Sequence, residues 1–462
     1  LGYAAVLAGS VCAFLVIRHF GNALNAGGFL ETPVSAGRAG ASVSDTLLPH
    51  VLFALVVIVV AARILGLGAK AIGQPAVVGE MIAGILLGPS LLGRLMPQIS
   101  AFTFPSNVWP FLSVIAQIGV VLFMFLVGID LDFSLLRGRA RSSVAISQAS
   151  IVAPFLLGSL LALWLYPEFS LRGISFTQFA LFTGVAMSVT AFPVLARILR
   201  DTGMDRNQIG AVALGCAAAD DVTAWCLLAL VVGIARSQPG RVFVTLALTV
   251  AFACFVLFAV RPAAIWLARK RAEDAVSLQG TVVVVCAALF LASLTTELIG
   301  IHAFFGAFLL GLVVPHDSAL AKDLRARIED VVVPVLLPIF FALTGLRTQV
   351  GLMHGGRNWM FFAAILAAAT IGKFGASYVA GKISGLTSSE AAALGILMNT
   401  RGLMELIVLN AGLDLGILPP SLFVMLVLMA IVTTFATCPV LRLIIRRVPE
   451  LARRPVISER AA

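Results

Sequence analysis

Long apolar runs separated by short polar clusters dominate the 462-residue chain. A run of about 20 residues spans a bilayer as a helix. Such runs recur at 1–20, 50–66, 75–92, 110–129, 144–166, 174–199, 207–232, 242–268, 277–295, 299–315, 331–346, 358–384, 390–411 and 418–444. The pattern predicts a leader segment followed by thirteen core helices. Residues 21–49, rich in Gly, Ala and Ser, read as an extracytoplasmic linker. Residues 50–444 read as one transmembrane domain and 445–462 as a short cytoplasmic tail. The leader 1–20 has no basic start and no A-x-A site directly after it, which favours a retained extra span over a cleaved signal.

Composition agrees with this pattern. Hydrophobic residues make up 60% of the chain and charged residues 12%, about half the charged share of a soluble domain. The mean hydropathy is +1.05. The expected class is an all-α polytopic membrane protein. All six cysteines fall in apolar segments without CxxC spacing, so they read as free core thiols, with neither a disulfide nor a bound metal.

The net charge of +10 raises the question of nucleic acid, and its placement answers it. Of the 32 Lys and Arg, 22 follow odd-numbered core helices and six follow even-numbered ones. That asymmetry puts the odd-numbered connections and the C-terminus in the cytoplasm. The basic charge is a topology signal and an attraction to anionic lipid, not a nucleic-acid surface. In "GASYVAGKI" (375–383), five residues separate the glycines and Ile follows the Lys, so no phosphate-binding loop is present and an ATP-driven pump is disfavoured. No enzymatic chemistry and no cofactor are expected.

Away from the ends of the predicted spans, the charges singled out are four acids, Glu80, Asp220, Asp221 and Glu405, and two bases, Lys373 and Arg401. A charge at the bilayer centre costs roughly 2.5–3.5 kcal/mol on insertion scales, so such residues carry function by default. In "GCAAADDVTAWCLLALVV" (215–232), Asp220 and Asp221 stand side by side near the middle of their span, and Lys373 lies near the middle of its own. Adjacent helical positions diverge by about 100°. One carboxylate can therefore pair with a cation on a neighbouring helix while the other faces a cavity. Two close, poorly solvated carboxylates repel, leaving at least one able to hold either a proton or a metal cation. Such competition is the basis of exchange.

Backbone breaks supply the second clue. In "FTGVAMSVTAFPVLARIL" (182–199), Pro193 lacks an N–H and clashes with the Val189 carbonyl, with the hydroxyls of Ser188 and Thr190 alongside. In "LGILMNTRGLMELIVLN" (394–410), Asn399, Thr400, Arg401 and Gly402 form a polar island, followed one turn later by Glu405. Interrupted helices in corresponding parts of two halves point to a secondary transporter built from inverted repeats. Glu80, in "GEMIAGILLGPSLLG" (79–93), divides between structural pairing and cation access, and its small neighbours permit close helix packing. His302 reads first as a structural histidine and second as a pH sensor.

The segments "SVTAFPVLARIL", "DDVTAWCLLAL", "IGIHAFFGAFLLGLVVP", "LPIFFALTGLRT" and "MNTRGLMELIVLNAGLDLGIL" resemble the second monovalent cation:proton antiporter family. They look most like plant cation/H+ exchangers and bacterial Kef-type and NapA-like transporters, over about residues 50–444. The resemblance implies thirteen helices, a panel domain that forms a homodimer, and a mobile core in which the broken helices 174–199 and 390–411 cross. It implies that Asp221 binds the monovalent cation or the proton, with Asp220 beside it and Lys373 as the partner of Asp220, and the hydroxyls of Ser188 and Thr190 are expected to help hold the cation. Members with this Asp-Asp and Lys set resemble electrogenic exchangers, whereas plant-like relatives often have Asn where Asp220 stands. The implied activity is exchange of Na+ or K+ for protons by alternating access. The alternative is a Kef-like K+ efflux protein, whose relatives carry attached gating domains. Abundant Ala, Gly and Arg suggest a bacterial source, and hence an inner-membrane location.

Overall fold

The computed structural model describes residues 2–24, 47–130, 140–202, 204, 207–236, 242–273 and 276–448, with backbone alone at a number of helical positions, Pro193 and Asp221 among them. Most of the expected linker, and the tail beyond 448, lie outside the described residues. The described chain is helical, without strands. It begins with α1 (Gly2–Gly21), α2 (Leu47–Ala71), α3 (Ala76–Leu87), the short α4 (Leu92–Leu95) and α5 (Pro97–Thr103), and α6 (Trp109–Asp130). Next come α7 (Ala140–Phe169), α8 (Phe176–Ser188), α9 (Phe192–Asp201), α10 (Gln208–Arg236), α11 (Val242–Phe255) and α12 (Arg261–Ala272). The rest is α13 (Leu278–Ile299), α14 (Ala303–Val313), α15 (Ala319–Val331), α16 (Leu337–Arg347) and α17 (Gly355–Thr370). The last four are α18 (Ala376–Ile383), α19 (Ser388–Met398), α20 (Leu403–Asp414) and α21 (Pro420–Arg447).

Among the described residues, nine helical stretches are long and apolar enough to cross a membrane. Shorter apolar helices add 9–21, 176–188, 303–313 and 388–398. The expected broken spans are among the short ones, because an interrupted helix is split into halves that each fall below spanning length. Both broken helices start alike. Ser175 caps α8 in a capping box with Gln178, and Thr387 caps α19 in a capping box with Glu390. Each first half then runs 13 or 11 residues before the chain leaves helical geometry.

Hydropathy does not foresee one extension. The predicted span 331–346 is the apolar end of a longer rod that starts at Ser318, whose side chain accepts a hydrogen bond from the Ala321 N–H. Residues Ala319–Val331 are polar but helical, and a hydropathy scan cannot see them.

The helices pack as two bundles. In the first, α2, α3, α6, α13, α14 and α16 pack on one another. In the second, α7, α8, α10, α17, α18, α19, α20 and α21 do so, with α1 against α7 and α8. Glycine lets the first bundle close tightly. A Cβ on Gly311 of α14 would sit 2.1 Å from the Phe125 carbonyl oxygen of α6, and one on Gly84 of α3 would sit 2.0 Å from that of Ala342 on α16. Without a hydrophobic drive between helices in lipid, such backbone approach supplies dispersion contact instead.

Three π-turns interrupt otherwise continuous rods: Val256–Val260, Val332–Leu336 and Ile371–Gly375. The third carries Lys373. One extra residue per turn re-aims the side chains beyond it, and such bulges gather at functional sites. Gly372, in the same turn, would place a Cβ 2.8 Å from Pro154 Cα, so this rod lies hard against α7.

Candidate functional site

The two breaks meet. The Ala191 N–H, in the gap between α8 and α9, donates to the Thr400 carbonyl in the gap between α19 and α20 at 3.0 Å. Pro193 stands in the first turn of α9, where its missing N–H has no helical partner to lose. A Cβ on Gly402 would lie 2.8 Å from the Val194 side chain, so the crossing closes around glycine.

Four donors converge on the fully buried Asp220 of α10. Ser147 Oγ donates to Oδ1 at 2.7 Å. Oδ2 lies 2.8 Å from Ser150 Oγ, 2.8 Å from Thr190 Oγ1 and 3.2 Å from Lys373 Nζ. The Lys373 ammonium also donates to Thr190 Oγ1, leaving the threonine proton for Asp220. An ammonium and three hydroxyls surround this carboxylate, three of the four at Oδ2, the environment of an anion. Lys373 is buried as completely as Asp220. Asp221 is the next residue along α10, and its side chain lies outside the described residues.

A second buried pair stands at the same crossing. Arg401 NH1 and NH2 donate to the carbonyls of Ala186 (3.3 Å) and Met187 (2.9 Å), at the C-terminal end of α8. NH1 also lies 3.1 Å from Glu405 Oε1, with both side chains fully buried. The guanidinium therefore meets the negative end of one half-helix, and Glu405, in the first turn of α20, meets the positive end of another. Thr434 of α21 holds the break from outside: its hydroxyl accepts from the Arg401 N–H at 3.0 Å and donates to the Arg401 carbonyl at 2.6 Å.

The other residues singled out from the sequence fall in three places. Asn399 and Thr400 are buried in the second gap, where Asn399 Oδ1 and Thr400 Oγ1 have no hydrogen-bond partner among the described residues. Ser188 is buried beside the first gap, but its hydroxyl donates to the Val185 carbonyl of its own helix at 2.9 Å. Glu80 and His302 do not join the cluster. Glu80 lies half-buried on α3, facing Gly66 of α2. His302 precedes α14, stacks on Phe304 with ring centroids 4.2 Å apart, and holds Nδ1 3.9 Å from Glu297. Ser147, Ser150 and Thr434 were not singled out from the sequence. The only signal for the serines is their spacing of three in "AISQAS" (145–150), which puts both hydroxyls on one helix face.

Residues 51–446 match the family model described as sodium/hydrogen exchanger, transmembrane. The Na(+)/H(+) antiporter NhaS4 of Synechocystis sp. is 42% identical over 398 residues, covering 86% of this chain and 97% of that protein. Cation/H(+) antiporter 19 of Arabidopsis thaliana is 38% identical, covering 91% of this chain and 53% of its own length. K(+)/H(+) antiporter 1 of Saccharomyces cerevisiae is 33% identical, covering 87% and 47%. The chain thus spans about half the length of the plant and yeast relatives. Among solved structures, the sodium proton antiporter MjNhaP1 from Methanocaldococcus jannaschii matches with a TM-score of 0.56 at 13% identity, covering 88% of this chain and 99% of that one. At that identity the likeness is one of fold.

Proposed function

The chain belongs to the sodium/hydrogen exchanger transmembrane family, and we propose that it exchanges a monovalent cation, Na+ or K+, for protons by alternating access. The observation that carries this reading is the buried Asp220–Lys373 pair at the meeting of two helix breaks, one residue from Asp221.

Charge balance explains why the site exchanges rather than leaks. Asp220, Lys373, Arg401 and Glu405 are buried as two ion pairs and sum to zero. Asp221 adds a fifth charge. With Asp221 ionised and empty, its carboxylate is a bare charge without a bound cation or proton, expensive to move through a low-dielectric barrier, unlike Asp220, which keeps hydroxyl donors whatever the state of Lys373. A bound proton or monovalent cation neutralises Asp221. Either ligand lets the second bundle move, and the empty state does not. Thr190 is engaged by Lys373 and Asp220, so it helps set the position of α10 beside the break.

The broken helices are the crossing half-helices of an inverted-repeat transporter, and the first bundle is the panel through which two copies dimerise. In this reading the protein sits in the plasma membrane with its C-terminus in the cytoplasm, an orientation that the positive-charge asymmetry supports.

The test is purified protein in liposomes with a trapped pH dye, given pulses of Li+, Na+, K+ and Rb+. A cation-dependent change in lumenal pH is expected from wild type, and less than a tenth of that rate from Asp221→Asn. Cation flux that needs no proton counter-gradient would replace exchange with a channel. Wild-type rates from Asp221→Asn would remove Asp221 from the mechanism.

A further inference from the structure

Away from the crossing, a cavity of about 420 Å³ lies between the two bundles, its wall including Gln117, Glu297, His302 and Asp414. A smaller pocket adjoins it, and Arg347 lines that pocket. Arg347 is the last residue of α16 in the first bundle. Its NH1 donates to Asn410 Oδ1 at 3.2 Å and to Asp414 Oδ1 at 3.0 Å, both on α20 of the second bundle. Its NH2 lies 3.4 Å from Ser113 Oγ, close to the α6 wall of the same pockets. One turn earlier on α16, Thr344 Oγ1 accepts from Asn410 Nδ2 at 2.9 Å.

We propose that Arg347, with Asn410 and Asp414, is a latch between the bundles that holds the position leaving this cavity open, and that its release is a step of every transport cycle. The inference rests on the alternating-access reading. Two comparisons support it. The Asp220–Lys373 pair lies within the second bundle and travels with it, whereas the Arg347 cluster joins α16 to α20 and cannot survive a relative shift. Hydrogen bonds lose their strength within a few tenths of an ångström beyond about 3.2 Å, so a displacement of α20 by a few ångströms breaks all three contacts. Exposure points the same way. The crossing pairs have 0% exposed side chains, while Arg347 is 20% and Asp414 49% exposed. A pair reached by water is weak enough to open and re-form on each turn.

The far end of the molecule has a counterpart. α21 begins at Pro420, six residues after Asp414, and about 33 Å along its axis Arg442 NH2 donates to the Gly73 carbonyl after α2 at 3.1 Å. Polar contacts therefore bridge the bundles at both ends, and the Arg347 cluster is the one on the cavity.

The latch acts by population. A ligand's apparent affinity falls by the fraction of protein in the competent state, so breaking the latch must weaken binding from the cavity side alone. The experiment measures cation-driven proton movement in membrane vesicles of both sidednesses. Arg347→Gln and Asp414→Asn are each expected to raise KM for the cation on the cavity side about threefold to tenfold. KM from the opposite side stays unchanged or falls. The swapped pair, Arg347→Asp with Asp414→Arg, is expected to return the cavity-side KM towards wild type. Singles with wild-type KM, or a swap no better than the worse single, would overturn the latch. If a single fails to accumulate in the membrane, the swap decides alone by the same criterion. A wild-type protein that exchanges nothing strikes the exchange reading and the latch together, so the two failures are distinguishable.

Discussion

Lys373 Nζ lies 3.2 Å from Asp220 Oδ2 with neither side chain exposed, and Thr190, from the first helix break, hydrogen-bonds to both. The pair therefore stands on the broken backbone as well as on its own helices. Removing one member of a buried pair leaves an uncompensated charge and costs about 3–5 kcal/mol. That dependence divides the labour between the adjacent aspartates. Asp220 is held by four protein donors, and under the proposed exchange reading the cation and proton compete at Asp221.

The serines of α7 test whether Asp220 is held as an anion. Each hydrogen bond to a charged group contributes about 1.5–3 kcal/mol. The double variant Ser147→Ala/Ser150→Ala should melt well below wild type in detergent. Ser188→Ala, whose hydroxyl serves only the Val185 carbonyl, should melt close to wild type. Equal melting of the two variants would mean that the serines are packing residues.

Arg401 spreads one guanidinium over two α8 carbonyls and the Glu405 carboxylate. A lysine keeps the charge but loses the planar fork. Arg401→Lys is therefore expected to lose at least tenfold in exchange rate and to melt lower, because the end of α8 loses one of its two donors. Wild-type exchange in Arg401→Lys would show that charge alone suffices there.

The residues legible from sequence are those whose burial is expensive. Asp220, Lys373, Arg401 and Glu405 stand out because a charge in an apolar span demands a partner, and the structure pairs all four with one another. Hydroxyls give no such contrast. Thr344, Thr433 and Thr437 satisfy themselves on the carbonyl four residues back, so nothing in the sequence separates them from Thr434, which clamps the break instead. The polar rod Ala319–Val331 escaped for the converse reason, since hydropathy registers spans and not helices. Bundle membership was equally invisible, and Arg347 reads from sequence as an ordinary loop-end arginine until α20 is placed beside it.

Tight packing of the first bundle gives a prediction independent of transport chemistry. Gly311→Ala puts a methyl 2.1 Å from the Phe125 carbonyl, and backbone there cannot give way as a side chain can. Overpacking of this kind costs about 1–3 kcal/mol. The variant should melt lower than wild type, while Gly351→Ala, with nothing within 4 Å of the added carbon, should not. Identical melting of the two would indicate that α6 and α14 separate freely.

The last expectation concerns Lys373 as a proton carrier. In the proton-loaded state the five groups sum to zero with Lys373 charged and Asp221 protonated. If a cation on Asp221 loosens the Asp220–Lys373 pair and Lys373 releases its proton, the cation-loaded state carries one negative charge. Two protons then move against one cation, and each cycle carries one charge across the membrane. A potential of 100 mV acts on that charge with about 2.3 kcal/mol, enough to drive exchange without any ion gradient. Lys373→Gln removes the second carrier. Asp220, left without its ammonium, takes up a proton, and both loaded states then sum to zero. Exchange should persist at reduced stability, become electroneutral, and stop responding to potential. Liposomes with a valinomycin-set potential and Li+ or Na+ as the exchanged cation measure this directly. A Lys373→Gln protein that follows potential as wild type does would show that Lys373 only braces the crossing, and that the charge is carried elsewhere.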